Sequence, residues 1–589
     1  MLHPIAAYEQ ISYCGLNLSN MKLKSLQVRN FKSLKQLDLS FPESGILVLV
    51  GANNAGKSNV VRSIDAICGD TWFSRDKLND FDFYQKDRQS ELRIQVNFDN
   101  GRSAIFSSNE QWPRYLERNG SKIFTSKIKD DFPCVYLGAD RTFDKHLSFY
   151  DWTLIGRIRR AFHARSGPIK ADLESKFSEI VDLFDRVSGF SDFKDDFTDF
   201  FSELQADTGA ELKINFQPYT PSNYFKTLQI VATDPGSGSP IDLDELGEGS
   251  RNLALLALMR SFAKNLRANG EEASGILALE EPEIYMHPQA QRHLYSVLND
   301  LAASGMQVIV TTHSTHFIDT EAFDSIGRVV QLPDDDDDSI RQTKVICVSK
   351  ARLVSKCVDT GVPPGKCDIN NIAPFYKTTS NANLNEGFFA RALILVEGET
   401  EELTLPVWLE QLGFNCNLRG VSIVRVNGKN QIPKYWRLFS SFDIPLVIVV
   451  DDDDDLNGSK RKSNQNLATC FGLSVEEICA KSSILKKLTS NTLPETTVIT
   501  LSQDYEASLR KDFEAWPSGN GEAYSELESE AINLIRPIGN QNKGQIARHI
   551  AQGLVSRYPD FKPRLGESIY LELENLGLVK QSMNDEPTV

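Results

Sequence analysis

GILVLVGANNAGKSNVVRSIDAI, residues Gly45 to Ile67, is the stretch on which the fold turns. Five consecutive apolar residues predict a buried strand, and NVVRSIDAI has the spacing of an amphipathic helix. Between them Gly51-Ala-Asn-Asn-Ala-Gly56-Lys57-Ser58 fits G-x-x-x-x-G-K-[ST]. Such a loop wraps backbone N–H groups around phosphates at a helix N-terminus. A chance glycine-rich turn would not carry the strand before it and the helix after it. The expected nucleotide contacts are Gly51, Asn53, Asn54, Ala55, Gly56, Lys57, Ser58 and Asn59. Lys57 would reach the β- and γ-phosphates of ATP, and Ser58 would ligate Mg²⁺.

Working outward, a chain of 589 residues is too long for one core, so two to four domains are expected. Its net charge of −16 makes it a poor nonspecific coat for DNA or anionic membrane, although a local basic groove stays compatible with that total. No apolar run approaches the roughly 20 residues needed to span a bilayer. The nine cysteines are scattered without a C-x-x-C pair, which argues for reduced thiols and a cytoplasmic location.

Distant segments complete the first site. ILALEEPEIYMHP places Glu280 and Glu281 at the end of an apolar strand, where one carboxylate can hold Mg²⁺ and the next can polarise water. His313 ends the apolar strand QVIVTTH, in reach of a γ-phosphate. Taken alone, a single histidine reads as structural. LGEGSRNLALLALM, 246–259, sets Gly249 and Ser250 at a helix start, able to present N–H groups to an anion. Residues 150–205 change to helical spacing, and strand signals resume at LKINF and LQIVA. This order resembles the ABC-type ATPases of the structural-maintenance and RecF-like class, in which two heads sandwich ATP and a helical arm splits each head. Two departures are visible: Glu280 stands where Asp is usual, and the signature motif is degenerate. GADR, 138–141, is the best match to a Q-loop.

A second set of acids follows. LILVEGETEEL puts Glu397 directly after an apolar strand, with Gly398 as a tight turn and Glu401 one helical turn on. PLVIVVDDDDD puts Asp451 and Asp453 at the end of another strand, with Asp455 a weaker candidate, and Gly428 fits the turn after the strand between them. Clustered carboxylates at the C-terminal edge of a parallel sheet suit Mg²⁺ or Mn²⁺. An EF-hand loop is the competing reading of Asp453 to Gly458, but its twelfth position is Asn464 and it follows a strand. The run Pro333 to Asp338 reads instead as a solvated loop.

The hhhEG…hhhDxD pattern resembles a TOPRIM domain. With the P-loop head, a DYE-like motif at 504–506 and N-K-G-Q at 542–545, the order resembles the OLD-family ATP-dependent endonucleases, nearest the nuclease subunit of Gabija antiphage systems. The likeness implies that Glu397, Glu401, Asp451, Asp453 and Glu506 ligate two Mg²⁺ ions while Lys543 stabilises the phosphate. It implies a homodimer through the ATPase head and helical arm, further assembly to tetramers, double-stranded DNA as target, and ATP restraint of the nuclease. A superfamily-1 helicase-like protein is the Gabija partner. Arg157, Arg159 and Arg160, or Lys460, Arg461 and Lys462, would meet DNA phosphates. A RecF-like repair clamp without nuclease activity and an RNA- or tRNA-cleaving toxin are the alternatives; a TOPRIM unit without activity is also open.

The expected fold is α/β throughout. An extension (1–20) precedes the first part of an ABC-type head (21–149), a helical dimerisation arm (150–210) and the second part of the head (211–345). A linker (346–388) leads to a Rossmann-like TOPRIM sheet (389–512) and a helical C-terminal part (513–589). Met21 is the expected natural start.

Overall fold

The computed structural model describes residues 21–69, 73–125, 134–138, 169–184, 186–204, 275–284, 286–334, 339–376, 382–451, 459–478, 485–488, 496–501, 504–535 and 542–579, with scattered positions among 128–132, 232–261 and 336–337. The extension 1–20, Arg157, Arg159, Arg160, LKINF, most of LQIVA, Gly249, Ser250, Asp453 and Asp455 lie outside the described residues, as does the Q-loop candidate beyond Gly138.

Among the described residues the head holds two six-stranded sheets and a two-stranded pairing. The first is antiparallel, in the order β2 (Leu34–Ser40), β1 (Leu23–Phe31), β4 (Arg93–Phe98), β5 (Ser103–Ser107), β6 (Arg114–Leu116), β7 (Lys122–Ile123). The second runs β14 (Arg341–Cys347), β13 (Ile326–Pro333), β3 (Ile46–Val50), β12 (Gln307–Thr312), β11 (Ile276–Glu280), β8 (Cys134–Leu137). All its pairings are parallel except β13 with β14. All five residues of β3 are buried, as a central parallel strand requires. Ile46, Val48 and Val50 enter one core while Leu47 and Leu49 enter the other, the two-residue alternation of a strand placed between two layers. Helix α1 (Lys57–Cys68) follows β3, as the sequence predicts. In the span expected as an arm, the described residues form α2 (Lys170–Phe184) and α3 (Phe190–Leu204). A two-residue pairing joins β9 (Ala232–Thr233) to β10 (Pro240–Ile241). Helix α4 (Pro288–Ala303) connects β11 to β12.

In the stretch 346–388, expected as a linker, the described residues are packed. Its first residues complete β14, then α5 (Lys350–Asp359) and short helices at Ile372–Tyr376 and Ala382–Glu386 follow. Leu353, Cys357, Cys367, Ile372, Tyr376 and Leu384 are buried in one core with both halves of the protein. Helical spacing there is hidden in the sequence by Pro363, Pro364 and a polar composition, which masked a buried face. The boundary at 345 accordingly falls inside β14. Asp334 also departs from the solvated-loop reading: it is buried, bonded by Lys35 Nζ at 2.7 Å and Tyr84 Oη at 2.8 Å. Lys35 holds its carboxyl down at about 2.

The second sheet domain runs β16 (Val421–Arg425), β15 (Ala392–Val396), β17 (Leu446–Asp451), β19 (Thr496–Leu501), β18 (Leu485–Leu488), parallel except at β18. Helix α6 (Glu399–Gln411) follows β15, α7 (Ile432–Ser441) follows β16 and α8 (Ser459–Phe471) follows β17. One face is covered by α6 and the C-terminal helices α9 (Tyr505–Ala515), α10 (Gly521–Ile535), α11 (Lys543–Arg557) and α12 (Arg564–Asn575). Trp408 and Leu409 of α6 share that core with Phe513, Leu527, Leu554 and Ile569. The boundary expected at 512 cuts through α9, because this helix belongs to both the site and the C-terminal layer.

Candidate functional site

In the head, the P-loop turns at Gly56, whose φ of 105° is a left-handed conformation. A Cβ there would lie 2.3 Å from Thr343 Oγ1, so both the backbone and the neighbouring strand require glycine. Lys57 is buried, and its Nζ donates to the carbonyls of Gly51 and Ala52 at 3.0 Å each. It also lies 2.8 Å from His313 Nε2. Burial lowers the Lys57 amine, while Glu281, Glu283 and Glu280 pull it back up. Burial and then Lys57 push the His313 ring below its ordinary value. A neutral imidazole follows, so its 3.6 Å approach to Glu281 is no ion pair at neutral pH.

Glu280 is buried at the end of β11, bonded by the Tyr136 hydroxyl, with its Oε1 accepting no hydrogen bond. A buried carboxylate oxygen left open beside a phosphate cradle suits a cation. Glu281 has a positive φ of 45°, a strained conformation for a non-glycine residue. Three participants escape the sequence reading. Glu283 Oε1 accepts from Thr312 Oγ1 at 2.8 Å and from the His313 N–H at 2.7 Å, and so holds the histidine. Ser33 Oγ and Thr343 Oγ1 meet at 2.8 Å, with Asn59 Nδ2 on the same serine, and they brace the start of α1. Glu283 had a signal, being the third acid of Glu-Glu-Pro-Glu; Ser33 and Thr343 had none.

The second site lies at the C-terminal ends of β15 and β17. Glu401 is buried; burial raises its carboxyl, and Glu506 and Glu397 add to the effect. Its Oε2 accepts the Gly398 N–H at 3.2 Å, an N-terminal cap for α6. Gly398 is extended, with φ −136°, and is the cap residue of a helix where a tight turn was expected. Glu506, from α9, accepts from Thr400 Oγ1 at 3.2 Å and pairs with Lys543 Nζ at 2.9 Å. Burial alone would lower the Lys543 amine, but Glu506, Asp504 and Asp451 outweigh it and hold it above its ordinary value. Glu397, Glu401, Asp451, Glu506 and Lys543 are thus neighbours, although 146 residues separate the first from the last. Thr400 and the buried Lys429 were missed; Lys429 directly follows the Gly428 turn, which was the available signal. Lys462 is exposed in α8, and the side chains of Lys460 and Arg461 lie outside the described residues.

These are hard oxygen donors whose mutual repulsion a divalent cation would relieve. Among the described residues no three His, Cys, Asp or Glu side chains enclose an ion, so the donor chemistry, not a finished cage, fits the metal.

The two sites are physically joined. The His313 ring stacks on Phe389, centroids 6.5 Å apart and planes 26° apart, three residues before β15. Arg328 on β13 is buried and donates to the carbonyls of Phe442 and Asp443 at 3.1 Å each and of Ala390 at 2.9 Å.

A P-loop head fused to a parallel-sheet domain with an acidic edge defines an ATPase–TOPRIM protein, and comparison with known proteins agrees. An AAA domain family described with the AbiEii toxin of type IV toxin–antitoxin systems matches residues 46–319, and the "Overcoming lysogenization defect protein-like, TOPRIM domain" family matches 388–453. An OLD nuclease of Thermus scotoductus is 25% identical over 501 residues, covering 76% of this chain and 88% of that protein. The Old nuclease of Escherichia phage P2 is 23% identical, covering 74% and 77%. Endonuclease GajA of Bacillus cereus is 23% identical over 245 residues, 39% and 34% of the two chains. The chain is an endonuclease-type enzyme with an ATPase head and a TOPRIM domain, similar to the OLD nucleases over about three quarters of its length and to endonuclease GajA over 39% of it. No helix among the described residues is long and apolar enough to cross a membrane.

Proposed function

We propose that this protein is a Mg²⁺- or Mn²⁺-dependent endonuclease acting on double-stranded DNA, restrained by ATP, and serving in antiphage defence. The gathering of Glu397, Glu401, Asp451 and Glu506 around Lys543 at one sheet edge carries the reading. Divalent cations bound there would activate water and stabilise the leaving oxygen of a phosphodiester. The carboxylates, with Asp453, would hold those cations, and Lys543 would meet the phosphate whose charge grows in the transition state. Burial raises the Glu401 carboxyl, with Glu506 and Glu397 adding to it, and a bound cation would favour its charged form.

In the head, Lys57, Ser58, Asn59 and the loop from Gly51 through Asn53, Asn54, Ala55 and Gly56 would cradle ATP, with Glu280 and Glu281 at its Mg²⁺. A γ-phosphate would draw Lys57 from His313, and the histidine stacks on the segment leading into β15. That contact supports ATP as the regulator. Pairing of heads and arms into a homodimer, a tetramer beyond it, and a helicase-like partner are the assembly we expect.

Plasmid cleavage tests the reading. With Mg²⁺ or Mn²⁺ and no ATP, supercoiled DNA should be nicked or cut, and ATP should slow the reaction. Glu397→Ala should abolish cleavage, and Lys57→Ala should make it indifferent to ATP. Intact plasmid in every condition sinks the endonuclease reading; cleavage of tRNA instead would move the substrate to RNA.

A further inference from the structure

Lys429 has no part in the site as the sequence describes it, yet it is one of the most enclosed cations of the second domain, at 4% exposure. It sits in the turn after β16, and three contacts fix that turn. The Val426 N–H bonds the Val396 carbonyl at 3.0 Å, the Gly428 N–H bonds the Glu397 carbonyl at 3.0 Å, and Lys429 Nζ donates to the Asp451 carbonyl. The sheet order is β16, β15, β17, so the turn passes over the end of β15 and the lysine stem reaches β17 beyond it. Adjacent strands are about 4.8 Å apart, so the span is roughly 10 Å, which a backbone turn plus an extended lysine covers. One short loop therefore ties together the main chains of Glu397 and Asp451, two acids separated by 54 positions.

We propose that Lys429 is a positioning residue for the cation site: by holding the Asp451 carbonyl against the Glu397 turn, it sets the separation and direction of the two carboxylates. This rests on the metal-dependent reading above. The amine also places a positive charge beside the main chains of Asp451 and the Glu397 turn. Charge and position act in opposite directions on cation affinity. Removing a positive charge alone would tighten cation binding. Losing the clamp would weaken it, since residues orienting metal ligands typically contribute 10- to 100-fold in affinity.

The test is Mn²⁺ binding to the full chain without nucleotide, read from the electron paramagnetic resonance signal of free Mn²⁺, beside plasmid cleavage across Mn²⁺ concentrations. Lys429→Met should raise the half-saturating Mn²⁺ concentration by about tenfold or more. Cleavage at saturating Mn²⁺ should recover to within a few-fold, and ATP binding should be unchanged. Lys429→Arg, which keeps a donor and the charge, should restore most of the affinity. Unchanged or tighter Mn²⁺ binding in Lys429→Met overturns the proposal. So does a loss of cleavage that no Mn²⁺ concentration relieves. If Lys429→Met does not fold, Lys429→Gln is read by the same measurement and the same criterion. A wild-type chain that binds no Mn²⁺ would instead sink the cation site itself.

Discussion

Lys356 lies under α7, its Nζ donating to Ser440 Oγ at 2.6 Å and sitting 5.2 Å from the centre of the Trp436 ring. Burial, with Arg352 nearby, pushes its amine down to about 8. A lysine whose folded value is depressed contributes least where both states are charged, so stability falls as pH drops from about 10.5 through 8. Lys356→Met should therefore raise stability at pH 7 by about 1 kcal/mol, the desolvation relief exceeding the lost hydrogen bond and ring contact. The gain should shrink between pH 8 and 10.5. Denaturant midpoints across that range measure it, and a less stable variant at pH 7 would refute it. Nothing in the one-letter code separates Lys356 from a solvated lysine; burial of its stem arises only when α5 packs on α7. Lys57 was readable because its role is written in the spacing of two glycines beside it.

At the scale of elements, α6 and α9 carry Glu401 and Glu506, two acids of the second site, and are latched by one buried bond. Trp408 Nε1 donates to Tyr505 Oη at 2.7 Å, one residue before Glu506. Both rings are buried. Tyr505→Phe would leave the indole N–H without that acceptor, so stability should fall by about 1–3 kcal/mol. Metal-dependent cleavage should fall as well, because Glu506 loses its register against Thr400. Thermal unfolding and plasmid nicking check the two effects, and a variant unchanged in both would remove the latch from the account. The strands and the helices after them were readable at this scale, since five-residue apolar runs such as Ile46–Val50 and Ala392–Val396 are buried on both faces. The packed character of 346–388 was not, because its buried residues are spaced among prolines and polar side chains.

At the scale of the molecule, Arg328 joins the halves. Its strand pairs with β3 just before the P-loop, with Arg328 opposite Val50. A Cβ on Gly51 would lie 2.2 Å from the Val329 carbonyl, so the loop and this strand touch closely. Burial pushes the Arg328 guanidinium down to about 10 against the opposing pull of Asp443, and it stays charged at neutral pH. Arg328→Met would leave the Ala390, Phe442 and Asp443 carbonyls without their donor. Stability should drop by about 2–4 kcal/mol, and ATP should lose much of its effect on cleavage. Calorimetry and nicking assays with and without ATP read both. Full ATP restraint in a stably folded variant would assign the coupling to His313 and Phe389 alone.

The sequence by itself determined the units: a phosphate loop between a strand and a helix, and acids at the ends of apolar strands. Those features depend on chain direction and burial within some twenty residues, which periodicity records. The nearness of Glu506 and Lys543 to Glu401 was implied by family resemblance, not by any pattern along the chain. The tertiary structure decided which distant groups meet: His313 on Lys57 and Phe389, Lys429 beneath Asp451, Arg328 on three carbonyls. These contacts follow from the order of strands in the sheets, and that order is set by the packing of whole layers, which no local spacing encodes.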